Sequence, residues 1–315
     1  MRLATYRHEK KSPSPSVGVV QGDRVLNAAR LLGESDPLEM LALLDRGPEG
    51  MAALAEAATR FADTHRSAHI VPEEIAAASW EVELLAPVLR PRSLRDFYAF
   101  EEHVATAHQK RGREVPPAWY EMPVFYYSHT GSIIGPDAPL PKPAWTEKLD
   151  FELEIACVIG NRGRDIDAAS ADSFIAGYTI MNDWSARDVQ REEMSVGLGP
   201  AKGKDFATSL GPLLVTPDEL ADRVADSRHD LTMIARINGE EITRGNAKSI
   251  HWTFADMIAR ASQSVELMPG DVLGSGTVGG GCLLELGEDV HPWLVPGDEV
   301  ELEIERLGRL RNRVV

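Results

Sequence analysis

Several features are scarce in this sequence of 315 residues. Only two cysteines occur, Cys157 and Cys282, and since each lies in an apolar run we expect buried thiols rather than a disulfide framework. There is no uncharged run of about 18 apolar residues and no apolar stretch of signal-peptide type at the N-terminus, so we expect no membrane span and a cytoplasmic location. Lys and Arg number 33 against 49 Asp and Glu, and the net charge of −16 argues against non-specific binding to nucleic acid or anionic lipid.

The pattern of the chain changes near residue 88, where Pro87 and Pro91 interrupt it. Residues 1–88 mix short strand patterns with helical ones, which predicts a small α+β domain. A helix-start signal lies at Ser35 or Asp36, before Pro37. We expect strands at 3–6 and 17–20, a turn at Gly22-Asp23, and helices at 38–44 and 51–61.

Residues 89–315 are rich in strand patterns, and Asn238-Gly239 gives a strong hairpin signal. Strands do not alternate with long helices, which argues against a doubly wound parallel sheet and favours an α+β fold with a mixed or antiparallel β-sheet. We expect strands at 123–127, 132–134, 149–159, 174–181, 231–237, 241–243, 271–273, 283–286 and 299–305, and helices at 93–111, 184–193, 217–224 and 253–261.

Glu152 and Glu154 lie two apart in the predicted strand 149–159, so they share one face. Both faces of this strand look buried, and two like charges held together in a poorly solvated place cost several kcal/mol unless something neutralises them. A hard divalent cation with oxygen ligands would do so. The alternative is an edge strand with two solvated glutamates.

Three further residues belong to the same hypothesis. Asp183 ends a predicted strand where a helix follows, a common place for functional side chains, although Asp is also a frequent helix N-cap. Asp96 and His103 are seven residues apart, so they would share a face of the predicted helix 93–111. His103 is then a candidate general base, or else a structural histidine.

Gly274-Ser275-Gly276-Thr277-Val278-Gly279 matches the pattern G-x-G-x-x-G after a predicted strand. The following residues, 283–286, predict another strand, so no helix N-terminus would be available for a pyrophosphate, and we reject a dinucleotide site. The glycines are better explained by a backbone that passes close to a ligand.

Five groups of residues, in this order, resemble the fumarylacetoacetate hydrolase family over roughly residues 92 to 305. They are Asp96-Phe97-Tyr98 with His103, Glu152-Leu153-Glu154, the segment from Asn182-Asp183 to Arg187 and Gln190, Gly203-Lys204 with Phe206, and Gly274 to Thr277. The resemblance implies a catalytic β-sheet roll after a small N-terminal domain. It also implies a homodimer and a role in aromatic catabolism.

The resemblance further implies a site for Mg²⁺, with Mn²⁺ or Ca²⁺ also possible, and a small anionic keto acid as substrate. Implied metal ligands are Asp96, Glu152, Glu154 and Asp183. Implied catalytic residues are His103 to activate water, Glu285 to orient that histidine and Lys204 to stabilise negative charge. Implied substrate contacts are Tyr98, Tyr126, Arg187, Gln190, Thr277 and Arg111.

A smaller branch of the family pairs its base with an acid three residues later, where this chain has Thr106. A helical Asp96 and the presence of Glu285 favour the fumarylacetoacetase-like branch instead. We therefore expect metal-dependent hydrolysis of a carbon–carbon bond in a 1,3-diketo acid. A decarboxylase, hydratase or isomerase of 2-oxo acids on the same site, and a non-catalytic metal-binding protein, remain alternatives.

Overall fold

A computed structural model describes residues 1–8, 12–35, 37–65, 72 and 75–315. The described residues before Pro87 form five strands and three α-helices. These are β1 Arg2–His8, β2 Ser12–Gln21, β3 Arg24–Asn27, α1 Ala28–Leu31, α2 Met40–Leu44, α3 Gly47–His65, β4 Ala76–Ala78 and β5 Glu83–Leu85.

The remainder is rich in strands, as expected from its sequence. Its elements are β6 Leu94–Phe97, α4 Glu101–Lys110, β7 Phe125–Ser128, β8 Ile133–Ile134, β9 Pro139–Leu140, β10 Leu149–Asp150, β11 Leu153–Ile159, β12 Ile175–Asp183, β13 Ser185–Ala186, α5 Arg187–Ser195, β14 Thr208–Val215, β15 Val224–Ala225, β16 Arg228–His229, β17 Thr232–Ile237, β18 Glu240–Asn246, α6 Phe254–Ser262, β19 Val272–Gly274, α7 Leu283–Leu286, β20 Glu299–Ile304 and β21 Gly308–Val314. Short 3₁₀ helices lie at Ser79–Glu81, Pro117–Tyr120, Ala168–Phe174, Pro217–Arg223 and Ala247–Ser249.

Two large sheets organise these elements. The first has the order β4-β3-β2-β1-β14-β12-β11-β19-β6-β7, with β5 on β1 and β8 on β14, and the second has the order β18-β17-β20-β21-β9. Most pairs are antiparallel, but β19 with β6, β14 with β8 and β21 with β9 are parallel. The predicted α+β class with a mixed, mainly antiparallel roll is therefore confirmed.

Strand β11 lies in the middle of the first sheet and is buried on both faces. Leu153, Ile155 and Cys157 belong to an apolar cluster that includes residues of the second sheet. Ala156 and Val158, on the opposite face, belong to a cluster shared with the N-terminal strands and helices. Together with the exposed fractions of 5% for Glu152 and 0% for Glu154, this placement excludes the alternative of an edge strand with two solvated glutamates.

The N-terminal strands are continuous with the first sheet, because β1 pairs with β14 through Arg2 with Val215 and Leu3 with Leu214. A domain boundary near residue 88 stays a prediction. Within this part, helix α2 begins at Met40 with Glu39 as its N-cap, so the expected start near Ser35 was wrong. Asp36, the other candidate, lies outside the described residues.

The predicted helix 93–111 was also wrong in its first turn. Leu94–Phe97 is a strand because it pairs with β19 on one side and with β7 on the other, which local periodicity could not reveal. Helix α4 starts only after Phe100, with Glu101 and Glu102 in its first turn, where acidic groups complement the helix dipole.

Two other expectations need correction. Residues 283–286 form one helical turn, α7, and not a strand. The expected strand 149–159 is interrupted, so Glu152 lies between β10 and β11 and only Glu154 is in the strand proper. Among the described residues, no helix has the length and apolar character needed to cross a membrane.

Candidate active site

Four carboxylates meet at one end of the central strands. Asp96 comes from β6, Glu154 from β11, Asp183 from the last position of β12, and Glu152 from the residue pair before β11; their exposed fractions are 2%, 0%, 0% and 5%. Carboxylate oxygens of Asp96, Glu152 and Glu154 lie within 4.8 Å of one another. The hydroxyl of Tyr126 joins Asp183 to this group, since it contacts Asp96 Oδ2 at 2.7 Å and also Asp183 Oδ2.

Pairing between strands explains why these distant residues converge. Strand β11 pairs with β12, which places Glu154 opposite Met181 and the end of β12 beside the start of β11. Strand β19 lies between β11 and β6, and its Gly274 is opposite Asp96. A Cβ at Gly274 would lie 2.5 Å from Asp96 Oδ1, so only glycine allows this carboxylate to lie against the backbone.

Crowding makes three of the four carboxyls hard to ionise. Burial, and then the charge of Asp183, raises the pKa of Asp96 to about 8. Burial also raises the pKa of Glu154 and of Asp183. Burial acts on Glu152 as well, but Lys204 and Arg187 oppose it and hold the pKa of that carboxyl down at about 2.

Two buried oxygens of this carboxylate group lack hydrogen-bond partners within the described part of the chain. Glu154 Oε2 and Asp183 Oδ1 are inaccessible to solvent and have no hydrogen-bond partner among the described residues. Unpaired buried carboxylate oxygens are costly, and hard divalent cations prefer an all-oxygen ligand set. The four residues therefore fit a divalent cation, although they do not distinguish among Mg²⁺, Mn²⁺ and Ca²⁺.

Lys204 lies against the same carboxylates. Its side chain is 3% exposed, and its ammonium donates to Glu152 Oε2 at 2.5 Å and to Asp183 Oδ2 at 2.7 Å. Burial alone would lower the pKa of this ammonium, but the two carboxylates raise it, so Lys204 stays positively charged. The site thus keeps a fixed positive charge beside the carboxylate group.

A histidine–carboxylate pair forms the second part of the site. His103 on α4 and Glu285 on α7 are both buried, and Nδ1 of the imidazole lies 2.5 Å from Glu285 Oε1. The other oxygen, Oε2, accepts the N–H of Gly280 at 3.1 Å, which fixes the carboxylate. A carboxylate at Nδ1 favours the tautomer that carries its proton there and leaves Nε2 as the basic nitrogen.

Helices α4 and α7 are also tied by Lys110. Its ammonium donates to the carbonyls of Leu284 and Glu285 at 2.9 and 2.8 Å. These carbonyls end the single turn of α7, where a cation compensates for unsatisfied acceptors. The same face of α4 therefore positions both His103 and its partner helix.

Arg187 occupies a more enclosed place than the sequence suggested. The start of α5 is buried, and the guanidinium donates to Asp150 at 2.7 Å, to Glu152 at 2.8 Å and to Gln190 at 3.0 Å. Asp183 does not cap this helix, since Ala186 is the N-cap residue.

Asp150 is a buried residue of the site that the sequence pattern did not indicate. Its carboxylate is fully buried and accepts the backbone N–H groups of Leu283 and Leu284 at 2.8 and 3.0 Å, in addition to the Arg187 contact. It therefore connects the carboxylate group, through Arg187, to the helix that carries Glu285. The only signal in the sequence is an Asp two residues before Glu152, which does not indicate these long-range partners.

This arrangement also explains the glycine-rich motif Gly274–Gly279. A helix does follow the motif, so the expected lack of a helix was wrong as an argument against a dinucleotide site. However, the N-terminus of α7 is occupied by the Asp150 carboxylate, and the helix is a single turn. Gly276 has φ of +76°, and a Cβ there would lie 2.4 Å from the carbonyl oxygen of Phe97, so the motif serves close backbone packing.

The two parts of the site line one cavity of about 350 Å³. All of the residues predicted from the sequence lie in its wall except Glu285 and Asp183, which lie behind it. His108 and Arg113 line it in addition. The Tyr98 ring stands edge-on to His103, with centroids 5.2 Å apart. A small polar molecule in this cavity would meet carboxylates, an imidazole and cations together.

Comparisons with known proteins agree with this architecture. The family model described as fumarylacetoacetate (FAA) hydrolase C-terminal matches residues 92–315. A rat protein named oxaloacetate tautomerase Fahd2a, mitochondrial, is 36% identical over 237 residues, which are 75% of this chain and 70% of that protein. A fumarylacetoacetase of Oryza sativa subsp. japonica is 32% identical over 282 residues, covering 70% of this chain and 65% of that protein.

Among solved structures, a 5-carboxymethyl-2-hydroxymuconate delta-isomerase from Mycobacterium smegmatis matches with a TM-score of 0.69 and 26% identity, covering 100% of this chain and 99% of that chain. The family is one of enzymes that act on keto acids, and its members include tautomerases and isomerases as well as hydrolases.

Proposed function

The chain belongs to the fumarylacetoacetate hydrolase family, and we propose that it hydrolyses a carbon–carbon bond in a 1,3-diketo acid, such as an acylpyruvate or a fumarylacetoacetate-like compound. The observation that carries this proposal is the buried pair of His103 and Glu285, 2.5 Å apart, beside a cavity that also receives the acidic group. Hydrolysis needs a base for water, and a carboxylate-oriented imidazole is suited to that task.

We assign Asp96, Glu152, Glu154 and Asp183 as the residues that hold a divalent cation, which we propose to be Mg²⁺. Their burial and the two unpartnered oxygens support this assignment. When bound, such an ion supplies Lewis acidity that polarises the keto oxygens of a diketo acid.

The residues of the chain then account for the proton movements. His103 takes a proton from water at Nε2, while Glu285 stabilises the resulting imidazolium through Nδ1. The hydroxide oxygen bonds to the carbonyl carbon, the adjacent carbon–carbon bond breaks, and its electron pair becomes an enolate. His103 returns the proton to the enolate carbon, which gives a carboxylic acid and a ketone.

Lys204 supplies positive charge where the enolate forms. A well-placed donor of this kind contributes about 3–4 kcal/mol to the transition state in other enzymes. Further substrate contacts are proposed for residues in the cavity wall, and Arg187 would offer only those N–H groups that its protein partners leave. They are Tyr98, Tyr126, Arg187, Gln190, Thr277 and Arg111.

Keto–enol tautomerisation of a 2-oxo acid is the second candidate, and the 36% identity to a named oxaloacetate tautomerase favours it. It would use the same base to move one proton between carbon and oxygen, with no water consumed. The two candidates differ in their products, since only hydrolysis breaks the carbon chain.

A spectrophotometric screen with Mg²⁺ tests the proposal. Acylpyruvates, fumarylacetoacetate and enol-oxaloacetate are mixed with the protein, loss of the enol chromophore is followed, and the products are identified by mass. Formation of a carboxylic acid plus a ketone supports hydrolysis. Loss of the chromophore with unchanged mass supports tautomerisation, and an unchanged chromophore with every compound contradicts both.

The biological setting is a further part of the proposal. Aromatic catabolism fits the relation to a hydroxymuconate isomerase and a fumarylacetoacetase. We also propose a cytoplasmic homodimer, although a similar rat protein is named as mitochondrial. Gel filtration with light scattering would measure the mass of the assembly directly.

A further inference from the structure

Cys282 lies beside the histidine–carboxylate pair and has no role in the proposed reaction. Its side chain is fully buried, and Sγ is 3.5 Å from Glu285 Oε1, the oxygen that also contacts His103. One nitrogen, one sulfur and one oxygen from these three residues lie within 4.8 Å of one another. Within the part of the chain that the structure describes, two groups of possible metal ligands therefore occur, and their chemistry differs.

The donor atoms determine which ions each group prefers. The group of Asp96, Glu152, Glu154 and Asp183 offers only oxygen, which suits hard cations such as Mg²⁺. Imidazole nitrogen with thiolate sulfur suits Zn²⁺ and similar softer ions, and a carboxylate can complete such a set. We propose that His103, Cys282 and Glu285 form a second metal site, selective for Zn²⁺ or a comparably soft divalent ion, which blocks the proton-transfer pair when it is filled.

The geometry requires only small adjustments. In a tetrahedral zinc site the ligand atoms lie about 3.4 Å apart, given metal–ligand distances near 2.1 Å. The 3.5 Å between Cys282 Sγ and Glu285 Oε1 already agrees with this. The 2.5 Å between His103 Nδ1 and Oε1 would have to widen by about 1 Å once an ion replaces the shared proton. His103 is in the cavity wall, so water from the cavity could fill the fourth position.

Surrounding contacts hold the ligands in place, as outer contacts do in established zinc sites. Gly280 N–H donates to Glu285 Oε2 at 3.1 Å, which leaves Oε1 for the ion. Lys110 fixes the helical turn that carries Glu285, through the carbonyls of Leu284 and Glu285.

Protons balance in a simple way. Burial, followed by the charge of Asp150, raises the pKa of the Cys282 thiol, so sulfur carries a proton before the ion arrives. Binding releases the thiol proton to solvent, and the ion takes its place on sulfur. The proton on Nδ1 moves to Nε2, because the imidazole stays neutral when the ion binds at Nδ1. Nε2 then carries a proton and can no longer take one from water. Only this inhibitory consequence rests on the proposed function, while binding of the ion does not.

A Co²⁺ titration in saturating Mg²⁺ tests the site without any substrate. Coordination by thiolate gives a sulfur-to-cobalt charge-transfer band in the near ultraviolet, which an all-oxygen site cannot give. We expect the band to saturate at one ion per chain in the wild type and in Cys157→Ser, which alters the other buried cysteine. Cys282→Ser should lack the band. Absence of the band in the wild type, or its persistence in Cys282→Ser, would overturn the proposal.

Zn²⁺ inhibition provides the second measurement, again in excess Mg²⁺ and with the substrate found in the screen. Cys282→Ser should need about tenfold more Zn²⁺, or more, for half inhibition, whereas Cys157→Ser should behave as the wild type. Equal sensitivity of Cys282→Ser and wild type would refute the inhibitory role. If circular dichroism shows that serine disturbs the fold, Cys282→Ala removes the ligand without burying a hydroxyl. If no substrate turns over, the proposed function fails while the cobalt band still decides the metal site.

Discussion

Replacement of Asp150 by asparagine tests how the two parts of the site are held together. The carboxylate accepts hydrogen bonds from Arg187 Nε at 2.7 Å and from the backbone N–H groups of Leu283 and Leu284 at 2.8 and 3.0 Å. Asparagine has the same shape but only one acceptor oxygen and no charge. Its amide group would face N–H donors that no longer have a partner.

The magnitude follows from those contacts. A hydrogen bond to a charged group contributes about 1.5–3 kcal/mol, and loss of one partner of a buried ion pair costs about 3–5 kcal/mol. Since these terms overlap, we expect Asp150→Asn to lower the free energy of unfolding by about 3–5 kcal/mol. A helix displaced by about 1 Å would also misplace Glu285, and such a shift can reduce kcat by about 10².

Urea unfolding and steady-state kinetics measure both effects. Asp271→Asn is the matched control, because Asp271 is a buried carboxylate that accepts Ser93 Oγ and the amide of Met268, outside the proposed machinery. The control should lose stability but keep its kcat under conditions where it is fully folded. If Asp150→Asn keeps both wild-type stability and wild-type kcat, the connecting role of Asp150 is refuted.

Three other outcomes are expected. Glu154→Ala should abolish Mg²⁺ binding, measured by calorimetry, together with turnover, and a chelator should silence the wild type reversibly; full activity after chelation would contradict the metal role. His103→Ala should leave substrate affinity nearly unchanged while kcat falls by about 10² or more, and an unchanged kcat would remove it from the mechanism. Burial lowers the pKa of His229 to about 4, below its unfolded value of about 6.5. The stability that a neutral His229 contributes is therefore fully present above about pH 6.5 and is lost as the pH falls towards 4. Between about pH 7 and pH 5 this loss should reach about 2 kcal/mol in urea unfolding and should be absent in His229→Gln; equal losses in both proteins would exclude His229 as the cause.

Regular strands of the second part were predictable where alternation and turns agreed. The hairpin around Asn238-Gly239 is present, with both residues at positive φ, as the sequence indicates. The strand that ends at Asp183 is present too. In both cases a short stretch of chain contains the whole signal, which is the turn dipeptide for the hairpin and an apolar run with its end for the strand.

Elements decided by distant partners were not predictable. Leu94–Phe97 has helical spacing with Phe100 and Val104, yet it is a strand because β19 and β7 pair with it. The turn Leu283–Leu286 is too short for periodicity to distinguish a helix from a strand, and its start is fixed by Asp150 from another part of the chain.

The residues of the candidate site also divide into those that the local sequence indicates and those that distant partners decide. Glu154 and Asp183 could be selected because buried acidic residues in strands are unusual. The family resemblance implies that Asp96 belongs with these carboxylates, and it lies beside them, but the helix expected to position it was wrong. Asp150 was missed because its partners are backbone amides, which the sequence does not reveal.

Anomalous diffraction from crystals soaked in Mn²⁺ tests the central claim most directly. We expect one strong peak per chain, within about 2.0–2.4 Å of carboxylate oxygens from Asp96, Glu152, Glu154 and Asp183, on the cavity side that faces His103. A fully occupied peak elsewhere, or none at this group in crystals that bind Mn²⁺, would contradict the account.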